Sequence, residues 1–155
     1  MIRRFAFAAI LLGFAGPSAA QGLQGVWQFQ RQGHDGRYTG TVVIDANSDA
    51  RATGRSERQT YSQCGFVQIK GDVVEIIFTS VNSERPYSPD RFFCTSSGGA
   101  ALVCYNRDAA GHREPATFVL TRIGGIPATP AGRLEDVCPP RERPTSQARP
   151  AGDFA

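Results

Sequence analysis

Residues 25–30, Gly-Val-Trp-Gln-Phe-Gln, alternate bulky apolar and polar side chains, with no sign of a helical period. In an extended strand, Trp27 and Phe29 lie on one side, and Gln28 and Gln30 lie on the other. A two-residue period of this kind buries one face of a sheet and leaves the other in water. This stretch therefore predicts a half-buried β-strand.

The same alternation returns in residues 73–79 and 117–121, and short β-branched or aromatic runs recur about every ten residues. Clusters of Gly, Asn, Asp and Ser separate these runs and favour short turns between antiparallel neighbours. The pattern predicts an all-β fold, an eight-stranded antiparallel up-and-down barrel. We place the strands at residues 24–31, 38–45, 50–55, 63–70, 73–80, 91–97, 101–107 and 116–123.

The turns differ between the two ends of the predicted barrel. In an up-and-down meander the odd-numbered turns share one end and the even-numbered turns share the other. The even turns are tight, at residues 47–49, 71–72 and 97–99. The odd turns are longer, at residues 32–37, 56–62, 81–90 and 108–115. We therefore expect one pinched end and one open end.

The chain divides into three parts. Residues 1–20 carry two arginines, a short apolar run and small residues before Gln21, which is the pattern of a secretory signal peptide. The apolar run is too short to cross a bilayer, so we expect no membrane span in the mature chain. Residues 21–138 form the barrel domain with a docked C-terminal segment. Residues 139–155 are rich in Pro, Arg and Ala, and we expect them to be a disordered tail. The protein is therefore expected to be periplasmic or secreted.

Charge argues against a nucleic-acid partner. The formal net charge of the whole chain is +3, and loss of the two arginines of residues 1–20 lowers it to +1. The remaining basic residues are scattered along the sequence, whereas nucleic-acid binding needs a basic stripe.

Four cysteines, Cys64, Cys94, Cys104 and Cys138, all follow residue 20. An even number of cysteines in an exported chain predicts disulfides, and four allow three pairings. We favour Cys64 with Cys138, tying the tail to the wall, and Cys94 with Cys104, linking two neighbouring strands; the other pairings remain possible. No C-x-x-C or Cys/His cluster suggests a metal, and we expect no cofactor.

Gly25-Val26-Trp27 on the first strand and Arg122 on the last resemble the calycin signature of lipocalins and their relatives. In that family, a G-x-W tryptophan packs at the closed end of the barrel under a basic residue. The resemblance implies that Arg122 lies over Trp27. The chain length is closer to that of avidin-like or bacterial inhibitor barrels, whose interiors range from a small-ligand pocket to a packed core.

The candidate binding residues all come from the longer turns or next to them. They are His34, Tyr61, Arg85, Tyr87, Arg91 and His112. Tyr and Arg are favoured anchors of binding interfaces, and loops on a rigid scaffold commonly carry binding residues. The two histidines lie near Asp35 and Glu114, but polar residues are ordinary in turns, and no catalytic arrangement is evident. We expect no enzyme activity.

Three functions are consistent with these features. The first is an exported, non-enzymatic binding module that holds a small apolar molecule or a protein at the open end. The second is a secreted inhibitor of a hydrolase, which acts through its loops while the interior is packed. The third is an envelope structural protein whose Pro- and Arg-rich tail contacts acidic surfaces. Whether the interior is open or packed separates the first two.

Overall fold

The computed structural model describes residues 22–33, 36–108, 110–125 and 138. Within these ranges, no helix is long and apolar enough to cross a lipid bilayer. The strands are β1 (Gly25–Gly33), β2 (Gly36–Ile44), β3 (Asp49–Arg55), β4 (Thr60–Lys70), β5 (Val73–Ser83), β6 (Arg91–Ser96), β7 (Ala101–Arg107) and β8 (Arg113–Gly124).

Each strand pairs antiparallel with the next, and β1 also pairs with β8, which closes the sheet into a barrel. Phe29 faces Gly40 of β2 on one side and Leu120 of β8 on the other. Closure leaves the eight strands without an unpaired edge. The predicted all-β, eight-stranded antiparallel barrel is confirmed.

The strand ends differ from the prediction mainly at the odd-numbered turns. β1 and β2 pair as far as Gly33 and Gly36, so residues 34–35 alone connect them. The other odd connections are residues 56–59, 84–90 and 108–112. In a closed barrel the strands are tilted and staggered, so each strand must be long enough to pair with both neighbours. Polar residues whose sequence resembles a loop therefore continue the strands. Only residues 84–90 remain clearly longer than the even turns.

Side chains fill the interior in layers along the barrel axis. Trp27 is 1% exposed and lies at the end of the barrel where β1 begins. The next layer is aromatic, with ring centroids 5.0–6.1 Å apart. Its members are Phe29, Phe78, Phe92 and Phe118. Arg31 follows Phe29 on the inner face of β1 and is 3% exposed, so the interior becomes polar towards the odd-turn end.

A glycine lies at the irregularity in the pairing of β4 with β5. The pairing of β4 with β5 shifts between Cys64 and Gly65. A Cβ on Gly65 would lie 1.9 Å from the carbonyl oxygen of Ile77 and 2.6 Å from the Cα of Phe78. The strand can bend at this bulge only because a hydrogen stands where a side chain would collide.

Both expected disulfides are present. Cys94 and Cys104 face each other across β6 and β7 with Cα atoms 4.1 Å apart, and both are fully buried. Cys64 joins Cys138 with Cα atoms 5.5 Å apart, across 74 residues of sequence. Disulfides of this kind are typical of proteins that fold in oxidising compartments.

Candidate binding site at the loop end of the barrel

The odd-turn end is closed by a layer of buried polar side chains and, above it, by three tyrosine rings. We name this end the loop end and residues 84–90 the long loop. The polar layer consists of Arg31, Gln63, Asp90, Asn106 and Glu114. The rings belong to Tyr38, Tyr61 and Tyr87.

Arg31 is the single cation of this layer. Strand alternation places it on the same face as Trp27 and Phe29, so its guanidinium is withdrawn from water. Its Nη1 donates to both carboxylate oxygens of Glu114, and its Nη2 donates to Asp90 at 3.1 and 3.3 Å. Burial alone would lower the pKa of Arg31, but Asp90 together with Tyr87, Glu114 and Tyr61 outweighs this effect and raises it. The cation is thus held by two carboxylates in a dry environment, where pairing is required.

Asp90 is the hub that connects the long loop to the barrel. Besides Arg31, its carboxylate accepts hydrogen bonds from Gln63 at 2.7 Å, Asn106 at 2.7 Å and the Tyr87 hydroxyl at 2.8 Å. Its backbone N–H donates to the side-chain oxygen of Gln63 at 2.8 Å. Burial raises the pKa of the Asp90 carboxyl, against the opposing effect of Arg31 and these donors. The end of the long loop is therefore fixed to β4 and β7.

The three tyrosine rings pack against one another in a layer next to these charges. Tyr61 and Tyr87 are stacked, with centroids 4.8 Å apart and planes 15° apart. Tyr38 packs edge-on against Tyr61 at 5.9 Å, and the Arg31 guanidinium lies over its ring at 4.7 Å. The Tyr61 ring also covers Gly54, its cross-strand partner, where a Cβ would approach the hydroxyl to 2.5 Å. Burial raises the pKa of both Tyr61 and Tyr87.

The structure brings two of the candidate binding residues together and separates the others. Tyr61 and Tyr87 meet in the ring layer, with Tyr87 partly exposed. Arg85 is exposed on the long loop, where its carbonyl accepts from the Ser83 hydroxyl at 2.6 Å. Arg91 lies on the outer wall, 2.6 Å from the Glu75 carboxylate.

Only one of the two candidate histidines, His112, falls within the described residues. His112 is exposed and pairs with Asp108 at 3.2 Å within its own turn. Glu114, which lies close to His112 in sequence, points into the barrel to Arg31 instead. His34 and Asp35 lie outside the described residues. In the ranges that are described, no three His, Cys, Asp or Glu side chains converge as metal ligands.

At the opposite end, Arg122 lies over Trp27 with its guanidinium carbon 4.7 Å from the ring. The Trp27 indole N–H donates to the carbonyl of Leu23 at 2.8 Å, and Arg122 donates to the carbonyl of Gly22. These contacts fasten the start of the barrel to its last strand. They reproduce the arrangement that the calycin resemblance implies.

The polar layer was not predicted as a site. Arg31 could have been found, because it occupies the same side of β1 as Trp27 and Phe29. Asp90 could not, because it lies in the long loop just before β6, where alternation gives no direction. The charged side chains of the polar layer hydrogen-bond to one another, and through Asp90 and Tyr87 they hold the long loop in place.

No family model matches the chain, and no curated protein matches it significantly. Solved structures do resemble it. One is a de novo designed fluorescence-activating β-barrel, 18% identical, covering 67% of this chain and 96% of its own, with a TM-score of 0.50. Another is a redesigned β-barrel, 20% identical, covering 67% of this chain and 94% of its own, with a TM-score of 0.51. At such identities the likeness defines the class of fold, a small closed antiparallel barrel, and nothing more particular.

Proposed function

We propose that the protein is an exported, non-enzymatic module that binds a protein partner through the loop end of the barrel. The observation that carries this proposal is the anchoring of the long loop by Asp90 and Tyr87 above an interior filled with side chains. The largest of the fully buried residues include Trp27, Phe29 and Phe92. An interior packed in this way favours recognition by the rim over capture of a ligand inside the barrel.

The anchored loop suits protein recognition because little conformational freedom remains to be lost on binding. Tyr87 is held by hydrogen bonds to Arg31 and Asp90 and stacks on Tyr61. Arg85 and Pro86 stay exposed between this anchor and the end of β5. Inhibition of a secreted hydrolase is the form of this function that a rigid, exposed loop supports best.

Export is supported by two features that are independent of each other. The first twenty residues have the composition of a signal peptide, and the two disulfides need an oxidising compartment. We also place the barrel with the calycin-like proteins, since Arg122 over Trp27 matches their signature.

A small ligand at the rim is the second candidate. It is favoured by the Tyr61 hydroxyl, which is buried and makes no hydrogen bond to any part of the chain that the structure describes. A ligand that displaced Tyr87 would reach this hydroxyl and the Tyr38 ring. Native mass spectrometry of the protein from its own secretion route would detect such a ligand as a small adduct.

The test of the proposed function is site-specific photo-crosslinking in the native host. A benzophenone amino acid replaces Arg85 on the long loop, and in a matched control it replaces Asp72, which is exposed in the turn between β4 and β5 at the opposite end of the barrel. We expect a discrete protein adduct from position 85 that is absent or much weaker from position 72. Equal labelling from both positions, or none from position 85, would refute the proposal.

A further inference from the structure

The outer wall formed by β6, β7 and β8 carries side chains that the loop end does not use. Next to the loop end stands an arginine row, Arg91, Arg107 and Arg113, one residue from each strand. Below it lies an apolar band, which we define as Phe93, Tyr105, Val103 and Val119. Both features face outward, on the opposite side of the strands from Phe92, Cys94 and Cys104.

The arginine row concentrates like charge on consecutive strands. Arg91 is the cross-strand partner of Arg107, and Arg107 is the partner of Arg113. Adjacent strands are about 4.8 Å apart, and like charges directly opposite each other destabilise a sheet. A barrel that had only to fold would gain stability by alternating charges at these positions.

Acidic residues near the row neutralise it only in part. Glu75 pairs with Arg91 at 2.6 Å and with Lys70 at 3.3 Å, and Asp108 is engaged with His112. Arg107 and Arg113 are exposed and form no ion pair with the described residues. Two guanidinium groups thus remain available to carboxylates.

Aromatic stacking holds the guanidinium groups in place. The rings of Phe93 and Tyr105 are parallel within 7°, with centroids 5.1 Å apart. Arg91 lies over Phe93 at 5.0 Å, and Arg113 lies over Tyr105 at 4.2 Å, while Arg107 contacts both rings at 5.6 and 5.9 Å. A guanidinium stacked on a ring keeps its in-plane N–H groups directed outward, where a carboxylate can accept two of them.

The apolar band continues the surface away from the loop end. Val103 and Val119 are cross-strand partners and are 36% and 46% exposed. Phe93 and Tyr105, half-buried, lie between them and the arginine row. Aromatic and aliphatic side chains bordered by arginines are the composition of a protein–protein interface.

We infer that this wall docks a protein whose contact surface bears carboxylates opposite the arginine row and apolar side chains opposite the band. The apolar band favours a protein over an acidic polysaccharide or nucleic acid, which would use the charges alone. Arg91 directly follows Asp90, so the wall is continuous with the long loop. The inference therefore deepens the proposed function and rests on it in requiring a protein partner.

The test places the same photo-crosslinker at Thr95, which is exposed on β6 and is the cross-strand partner of Val103. We expect crosslinks to a protein segment rich in Asp and Glu. The R107Q/R113Q variant is expected to lower the yield about tenfold, and the V103T/V119T variant is expected to lower it as well. The matched control R51Q/R55Q removes two arginines from the outer face of β3, on the opposite side of the barrel from β7, and should leave the yield unchanged. Thermal melts of all variants establish that the fold is retained.

The outcomes separate the two proposals. An adduct at position 85 with none at position 95 would overturn the docking wall and leave the proposed function standing. Absence of adducts at both positions would overturn both. The docking wall would also be overturned if R107Q/R113Q left the crosslinking yield at position 95 unchanged, or if the crosslinks mapped to a segment without acidic residues. A further outcome is that no protein is crosslinked at position 95 and the protein is retained on heparin. If R107Q/R113Q abolishes this retention and V103T/V119T does not, the arginine row binds a polyanion instead.

Discussion

At the scale of the residue, the loop end depends on Arg31. One buried guanidinium contacts two carboxylates, a tyrosine hydroxyl and a tyrosine ring. Such a cluster is weak evidence for net stability, because withdrawing charges from water opposes their attraction. The main effect of this cluster is to hold Tyr87 and the long loop in one position.

Removing Arg31 alone should be strongly destabilising. The R31M variant leaves Asp90 and Glu114 buried without their cation, and we expect a loss of about 3–5 kcal/mol in the free energy of unfolding. Urea denaturation followed by Trp27 fluorescence measures it. The R31M/D90N/E114Q variant, which removes all three charges, should recover part of the loss. If the triple variant is no more stable than R31M, uncompensated charge is not the cause.

The buried tyrosines should resist ionisation. Because burial raises the pKa of Tyr61 and Tyr87 in the folded protein, each keeps its proton at a pH where the unfolded chain releases it. Their contribution to stability is complete below the unfolded value of about 10 and is lost as the pH rises towards the folded values. Tyrosinate absorbance at pH 11 should therefore be lower in the folded protein than in urea, and the melting temperature should fall above pH 10. Equal absorbance in the two states would contradict this.

At the scale of the element, alternation, β-branched or aromatic runs and turn clusters together predicted the eight strands. Even β3, with its weak Ala-Arg-Ala-Thr-Gly-Arg sequence, is present as Asp49–Arg55. The strand ends were less predictable, because polar residues such as Thr60 and Arg113 continue pairing once the barrel closes. The polar layer escaped prediction because period-two patterns identify apolar interiors, whereas the inner face of β1 carries a charge at Arg31.

The bulge in β4 supplies a test of barrel closure. In G65A the added methyl group meets backbone atoms of β5 that cannot move without breaking the pairing, and we expect a loss of about 3 kcal/mol in the free energy of unfolding. G99A is the matched control, since a Cβ on Gly99 has nothing within 4 Å. Comparable denaturation midpoints for the two variants would show that β4 bends without help from Gly65.

At the scale of the whole molecule, the Cys64–Cys138 disulfide constrains the largest part of the chain. Its sequence separation of 74 residues corresponds to about 4 kcal/mol by the chain-entropy relation. The C64A/C138A variant should lose about that amount in denaturant unfolding while keeping its far-ultraviolet circular dichroism. A loss below about 1 kcal/mol would indicate that the unfolded chain is already compact without this bond.

The burial of the Cys94–Cys104 disulfide limits how fast a reductant can cleave it. Both sulfurs are sealed inside the barrel, so a thiolate in solution has no line of attack while β6 and β7 remain paired to their neighbours. The rate at which a reductant cleaves this bond therefore becomes independent of reductant concentration once attack outpaces reclosing. At that plateau, the measured rate of reduction equals the rate at which the barrel wall opens.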